Sequence, residues 1–174
     1  MSHPLHEALG QCMKLEFPDA QLILDKACGG DHQLPLFSSA VKSAAAELCD
    51  VDMLIVQDKH VRVIIEIEES GINPTQLAGK FLTSALATHY VHDSEPDPVP
   101  IARPALFVQV VDTSRLKPGS SKPEQFRNIQ SRIQQVLPLR GSAVREYVLL
   151  QIDGSDPEID CQGLIDKVRS ALAE

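Results

Sequence analysis

Asp52 stands near the head of the apolar run VDMLIV, and Glu66, Glu68 and Glu69 crowd the tail of the next run, VRVIIEIEES. Carboxylates gathered this densely bind cations, activate water or both. Side chains of a strand alternate between faces. Glu66 and Glu68 therefore share a face with Arg62 and Ile64, and Val63, Ile65 and Ile67 point the other way. The two runs read as an antiparallel hairpin joined by QDKH. If Gln57 pairs with Val61, Asp52 falls opposite Glu66 and Asp50 opposite Glu68. Opposed side chains sit about 5 Å apart at Cβ, and like charges so placed destabilise a sheet. Something positive must offset them. A hard divalent ion, Mg²⁺ or Mn²⁺, suits an all-carboxylate set of Asp52, Glu66 and Glu68. Lys80 is the other candidate, one helical turn beyond Gln76 on the segment that follows the hairpin. The plainer reading is that these acids mark a strand running out into solvent.

The elements that position these residues follow from pattern. Leu5, Leu9, Cys12 and Met13 recur at helical spacing. AQLILDKACGG is ambiguous, HQLPLFSS reads as a short strand, and AVKSAAAE holds good helix formers over little length. After the hairpin, Asn73 and Pro74 form a cap and a first turn, with Leu77, Phe81, Ala85 and Tyr90 on one face. HDSEPDPVPIARP is an acidic, Pro-rich loop, and ALFVQVVD is a strand covered on both faces. In SKPEQFRNIQSRIQQVL, Ser121 and Glu124 form a capping-box pattern ahead of the stripe Phe126, Ile129, Ile133, Val136. REYVLLQI is a further strand and CQGLIDKVRSALA a closing helix. Helices interleaved with apolar strands predict a single α/β domain over 1–174. Its mixed central sheet carries an early antiparallel hairpin and is flanked by helices on both faces.

The stretch resembles the PD-(D/E)xK nuclease superfamily, the restriction-endonuclease-like fold. Its signature is an Asp at the start of one hairpin strand and Glu-x-Lys at the end of the next. Asp52 matches the Asp and Glu66 the second acid, while Glu68 stands where the lysine is expected. Some members carry Glu-x-Glu there, and others move the lysine to the following helix, where Lys80 lies. Gln76 resembles the helix glutamine of the exonuclease-like branch, although Lys80 replaces the Tyr usual after it. The similarity in element order runs to about residue 152. The resemblance implies Mg²⁺- or Mn²⁺-dependent hydrolysis of phosphodiesters in DNA, with RNA as the other polymer. In that chemistry Asp52, Glu66 and Glu68 hold the metal, Glu68 serves as base, and Lys80 and Gln76 complete the catalytic set. Cutting both strands of a duplex implies a homodimer. The same fold without catalysis, binding nucleic acid or a protein, is the alternative, because the lysine of the motif is missing. An unrelated α/β domain with an acidic surface is a third reading.

Composition bounds these readings. The 174 residues are 43% hydrophobic and 4% aromatic, enough for an aliphatic core without staples. The net charge of −8 would repel nucleic acid overall, but Arg115, Lys117, Arg127 and Arg132 fall in a basic stretch that can face phosphates. No apolar run is long enough to span a membrane, and the first ten residues lack the pattern of a signal peptide. The four cysteines, widely spaced and without C-x-x-C, predict free thiols in a reducing cytoplasm. His89 with His92, Cys28 with His32, and His60 make no zinc pattern, and LKPGSSKP lacks the P-loop spacing.

Overall fold

The computed structural model describes residues 3–155 and 159–173. In chain order the elements are α1 (Pro4–Glu16), β1 (Gln21–Leu24), β2 (Leu34–Phe37), β3 (Glu47–Val51), β4 (Met53–Gln57), β5 (His60–Glu68) and α2 (Pro74–Leu86). They continue with β6 (His89–Tyr90), β7 (Val99–Asp112), α3 (Lys122–Val136), β8 (Val144–Ile152) and α4 (Gln162–Ala173). The strands form one mixed sheet in the order β1-β4-β5-β7-β6-β2-β3, with β8 also on β7. β1, β4 and β5 run antiparallel in sequence, then β5, β7 and β8 run parallel. The far edge of β7 is shared: its first residues pair with β6, and Ala105–Asp112 pair with β8.

The alternation of β5 divides the interior in two. Ile64 joins Leu77, Phe81, Ala85, Phe126 and Ile133 under α2 and α3. Val63, Ile65 and Ile67 join Leu5, Leu9, Met13, Leu164, Ile165 and Val168 under α1 and α4. Helices therefore cover both faces of the sheet, as the interleaved pattern predicts.

Several local expectations are corrected. The run VDMLIV is two strands, because the chain bends at Asp52; β3 leaves to pair with β2, and β4 stays with β5. Asp50 therefore lies opposite Pro35, not Glu68. The hairpin turn is tighter than the Gln57–Val61 pairing assumed. Gln57 pairs with His60, and Asp58 and Lys59 both take positive φ, at 50° and 60°. That is the two-residue turn whose twist matches antiparallel strands. A bulge between Ile55 and Val56 then absorbs one residue, so Met53↔Ile65 and Leu54↔Ile64 follow the expected register all the same. A second irregularity, between Val61 and Val63, releases Arg62 from the row of Ile64, and its guanidinium reaches the Ala171 carbonyl of α4.

AVKSAAAE is not helical but turns into β3. Helix α2 ends at Leu86, so Tyr90 belongs to β6 and not to the helical stripe. The Pro-rich segment contributes its last residues, from Val99, to β7. Ser121 makes no side-chain cap; Ser120 Oγ accepts the Lys122 N–H instead. Val136 is exposed. Cys12 of α1 and Cys161, just ahead of α4, form a disulfide, so only Cys28 and Cys49 are free. Spacing along the chain conceals this pair, because the two helices meet only after packing on one sheet face.

Candidate functional site

The site begins where β5 ends. Glu66 and Glu68 are the last residues of β5 on the face toward α2, and both are buried, at 1% and 4% exposure. The chain then turns through Gly71, whose φ of +65° suits a residue without a side chain, into the cap of α2. Asn73 Oδ1 accepts the Gln76 N–H at 3.0 Å, and its amide donates back to the Gly71 carbonyl. This cap and the packing of Leu77, Phe81 and Ala85 set the rotation of α2. Residues one turn apart share a helix face, so Gln76 and Lys80 both turn toward the strand end. Gln76 Nε2 donates to Glu68 Oε2 at 2.8 Å. Lys80 Nζ donates to Glu66 Oε2 at 3.0 Å and lies 3.0 Å from Glu68 Oε1.

Asp52 reaches the same place from the bend between β3 and β4. Its Oδ2 accepts the Ile67 N–H at 2.6 Å, and its own N–H is bound by the Ile65 carbonyl. Glu69, the next residue after Glu68, points to the other face as alternation requires, toward α1. There His6 lies between two carboxylates, with Nδ1 2.8 Å from Glu69 Oε1 and Nε2 3.6 Å from Asp52 Oδ2. The sequence-predicted residues Asp52, Glu66, Glu68, Gln76 and Lys80 thus form one connected cluster, and His6 extends it to α1.

The electrostatics follow from burial and charge. Burial, and then the neighbouring charge of Asp52, hold the Glu66 carboxyl well above its usual range, against the pull of Lys80. Burial opposes the charge on Lys80, but Glu66 and Glu68 outweigh it and hold the ammonium above its usual value. Asp52 is lowered despite burial, because His6, the Ile67 N–H and Lys80 all favour its charged form. Burial alone would lower His6; hydrogen bonds and charge from Asp52 and Glu69 reverse this and raise it to about 9. The cluster is a run of acids interleaved with two cations.

Two carboxylate oxygens of the cluster, Glu66 Oε1 and Glu68 Oε1, are buried without a hydrogen-bond partner, although the second lies 3.0 Å from Lys80 Nζ. Gln109, the registered neighbour of Glu66 on β7, also has a buried Nε2 without a partner, while its Oε1 accepts the Tyr147 hydroxyl at 2.8 Å. An orphaned buried carboxylate oxygen is costly. Asp52, Glu66 and Glu68 match a hard divalent ion in donor chemistry, all being carboxylates at one strand end, but among the described residues the group whose ligand atoms lie within 4.8 Å of one another is His3, His6 and Glu69 instead. Lys80, two-thirds buried at its side chain, opens the cluster to solvent.

The basic residues are less concentrated. Arg115 and Lys117 are exposed on the loop after β7. That loop leaves the sheet at the site's end, since Val111 is in register with Glu68. It closes against the entry to α2, where Lys122 Nζ donates to the Ile72 carbonyl at 3.1 Å. Arg127 and Arg132 are exposed on α3. Arg132, ten residues along that helix from Lys122, is about 15 Å farther from the loop. Among the described residues none of these four is in an ion pair.

The sequence reading passed over His6, Gln109 and Tyr147. His6 sits beside Leu5 at the start of a buried helical stripe, and Gln109 is the lone polar residue inside ALFVQVV. A polar side chain at a position the pattern reserves for apolar ones was the available signal. Comparison with protein-family models, curated proteins and solved structures finds no match.

Proposed function

We propose that this chain hydrolyses phosphodiester bonds in DNA with Mg²⁺ or Mn²⁺ held by Asp52, Glu66 and Glu68. The observation that carries the reading is the buried, unpartnered Glu66 Oε1 in the field of Asp52 and Glu68. The order of elements supports it: a helix, an antiparallel meander, a helix and a parallel strand set Asp52 and Glu66 at one end of a central hairpin. This is the arrangement that the resemblance to the PD-(D/E)xK superfamily implies.

The ion, when bound, supplies polarisation of the phosphoryl group and acidification of water. The residues do the rest. Gln76 orients Glu68, which takes the proton of the attacking water. Lys80, which donates to Glu66, would turn its ammonium to the charge growing on the phosphate. The Ile67 N–H fixes Asp52. Arg115 and Lys117 hold the polymer backbone on the site's side, and Arg127 and Arg132 extend that contact along α3. Two copies acting on one duplex in the cytoplasm complete the reading. RNA is the other polymer the same chemistry serves.

The purified protein should cut DNA with Mg²⁺ or Mn²⁺ and stop with a chelator. Asp52→Ala and Glu66→Ala should each lower the rate at least about a hundredfold. Equal cutting by either variant would sink the assignment. One observation favours a second reading, a binding module of the same fold without catalysis: Lys80 already lies 3.0 Å from both Glu66 and Glu68 and offsets part of their charge. Calorimetry showing DNA binding but no Mg²⁺ or Mn²⁺ uptake would select it.

A further inference from the structure

His3, His6 and Glu69 present one ligand atom each, all within 4.8 Å of one another, on the α1 side of the sheet. We infer that these three residues form a separate cation site, one that takes a nitrogen-seeking divalent ion of the Zn²⁺ class. This inference does not depend on the proposed hydrolysis.

Local structure supplies the ligands. His3 is the N-cap residue of α1 and its side chain makes no capping bond; among the described residues its imidazole has no hydrogen-bond partner. His6 is one turn on, and the two rings meet edge to face at 5.2 Å. Glu69 arrives from the end of β5 and is held there by the His6 backbone N–H at 3.0 Å. Its side chain and that of His6 are each 9% exposed. Ligands at about 2.0–2.1 Å from a tetrahedral ion lie roughly 3.3 Å apart. The 2.8 Å separation of His6 Nδ1 from Glu69 Oε1 therefore has to open by only a few tenths of an ångström.

The surroundings are those of a metal-bound imidazole. On the side away from Glu69, His6 Nε2 faces Asp52 Oδ2 at 3.6 Å. A ligating histidine ordinarily gives its other N–H to a carboxylate, which fixes the tautomer and raises the basicity of the ligating nitrogen. When an ion binds, the Nδ1 proton of His6 leaves to solvent and the Nε2–H stays toward Asp52. Two imidazoles and a carboxylate exclude Mg²⁺, which prefers oxygen, and suit Zn²⁺ or Co²⁺. Three protein ligands leave a fourth position open, as in sites that bind water or a substrate group. Asp52 links this site to Glu66 and Lys80 across the sheet end.

The test is titration of metal-stripped, untagged protein with Zn²⁺ and with Co²⁺, in millimolar Mg²⁺ to fill any all-oxygen site. One equivalent of Zn²⁺ should bind, and Co²⁺ should develop a visible absorption band from nitrogen ligation. His3→Ala and Glu69→Gln should each weaken Zn²⁺ at least tenfold and abolish the band. His3 is exposed, so its variant keeps the fold. The pair His89→Ala and His92→Ala should bind as the parent does. No Zn²⁺ uptake, uptake unchanged by His3→Ala, or uptake lost with Cys28→Ser but kept in His3→Ala would each overturn the site.

Discussion

Glu66 shows how a single residue can work against the stability of its own fold. Its carboxyl is buried beside Asp52 and Glu68, and one oxygen finds no donor. Holding the charged form at neutral pH costs free energy that Lys80 offsets only in part. Glu66→Gln should therefore raise the stability of the metal-free protein by about 1 kcal/mol, seen as a higher denaturation midpoint. The same variant should lose Mn²⁺ binding. A loss of stability instead would mean that Lys80 fully compensates the carboxylate. His6 carries the opposite sign of pH dependence from an ordinary acid pair. Its pKa rises from 6.5 to about 9 on folding, so its contribution is complete below about pH 6.5 and is lost as pH climbs through 9. The full effect is about 3 kcal/mol. Asp52, whose carboxyl is held below its usual range, and Glu69 both face the ring. Urea denaturation of the parent should weaken between pH 6.5 and 9 more steeply than that of His6→Gln. Parallel curves would remove His6 from the account.

Among the elements, α2 does the most positioning, and its entry was legible from Asn73 and Pro74 alone. Asn73→Ala removes the acceptor for the Gln76 N–H and should cost about 1 kcal/mol. If activity depends on how α2 presents Gln76 and Lys80, the metal-dependent rate should fall more than that loss of stability explains, and Asn73→Asp should restore both. Equal losses would make the cap a stability device only. The hairpin was legible for a related reason: two runs rich in apolar, β-branched residues meet at a short polar turn, and β5 is buried on both of its faces. What pattern does not encode is compensation. The turn came out one residue tighter than QDKH implied, and a bulge restored the register so that Asp52 still met Glu66's end of β5. The division of VDMLIV between β3 and β4 was hidden too, because Val51, the buried last residue of β3, and the buried run 53–56 of β4 are apolar on either side of one bend. Tyr90 does not belong to the stripe of Leu77, Phe81 and Ala85, because α2 ends at Leu86 and Ala87 and Thr88 lead directly into β6.

At the scale of the whole molecule, the two ends of the chain are brought together on one face of the sheet. Leu5, Leu9 and Met13 of α1 share a core with Leu164, Ile165 and Val168 of α4, and the Cys12–Cys161 disulfide ties the pair across 149 residues. Neither hydrophobic pattern nor cysteine spacing reports such closure, which depends on both helices choosing the same face. A cross-link closing so long a loop restricts the unfolded chain strongly, worth about 5 kcal/mol by loop entropy. Two measurements follow from it. Thiol titration in denaturant without reductant should return two groups, Cys28 and Cys49, and four after reduction. Reduction should lower the melting temperature by roughly 10 °C or more, and Cys12→Ser should melt with the reduced parent. The same count made on protein quenched directly from cells bears on the compartment, because a structural disulfide persists only where thiols are not kept reduced. Two thiols from quenched cells would argue against the reducing cytoplasm expected from sequence; four would mean that packing on the sheet, and not the cross-link, holds α1 beside α4 where the protein works.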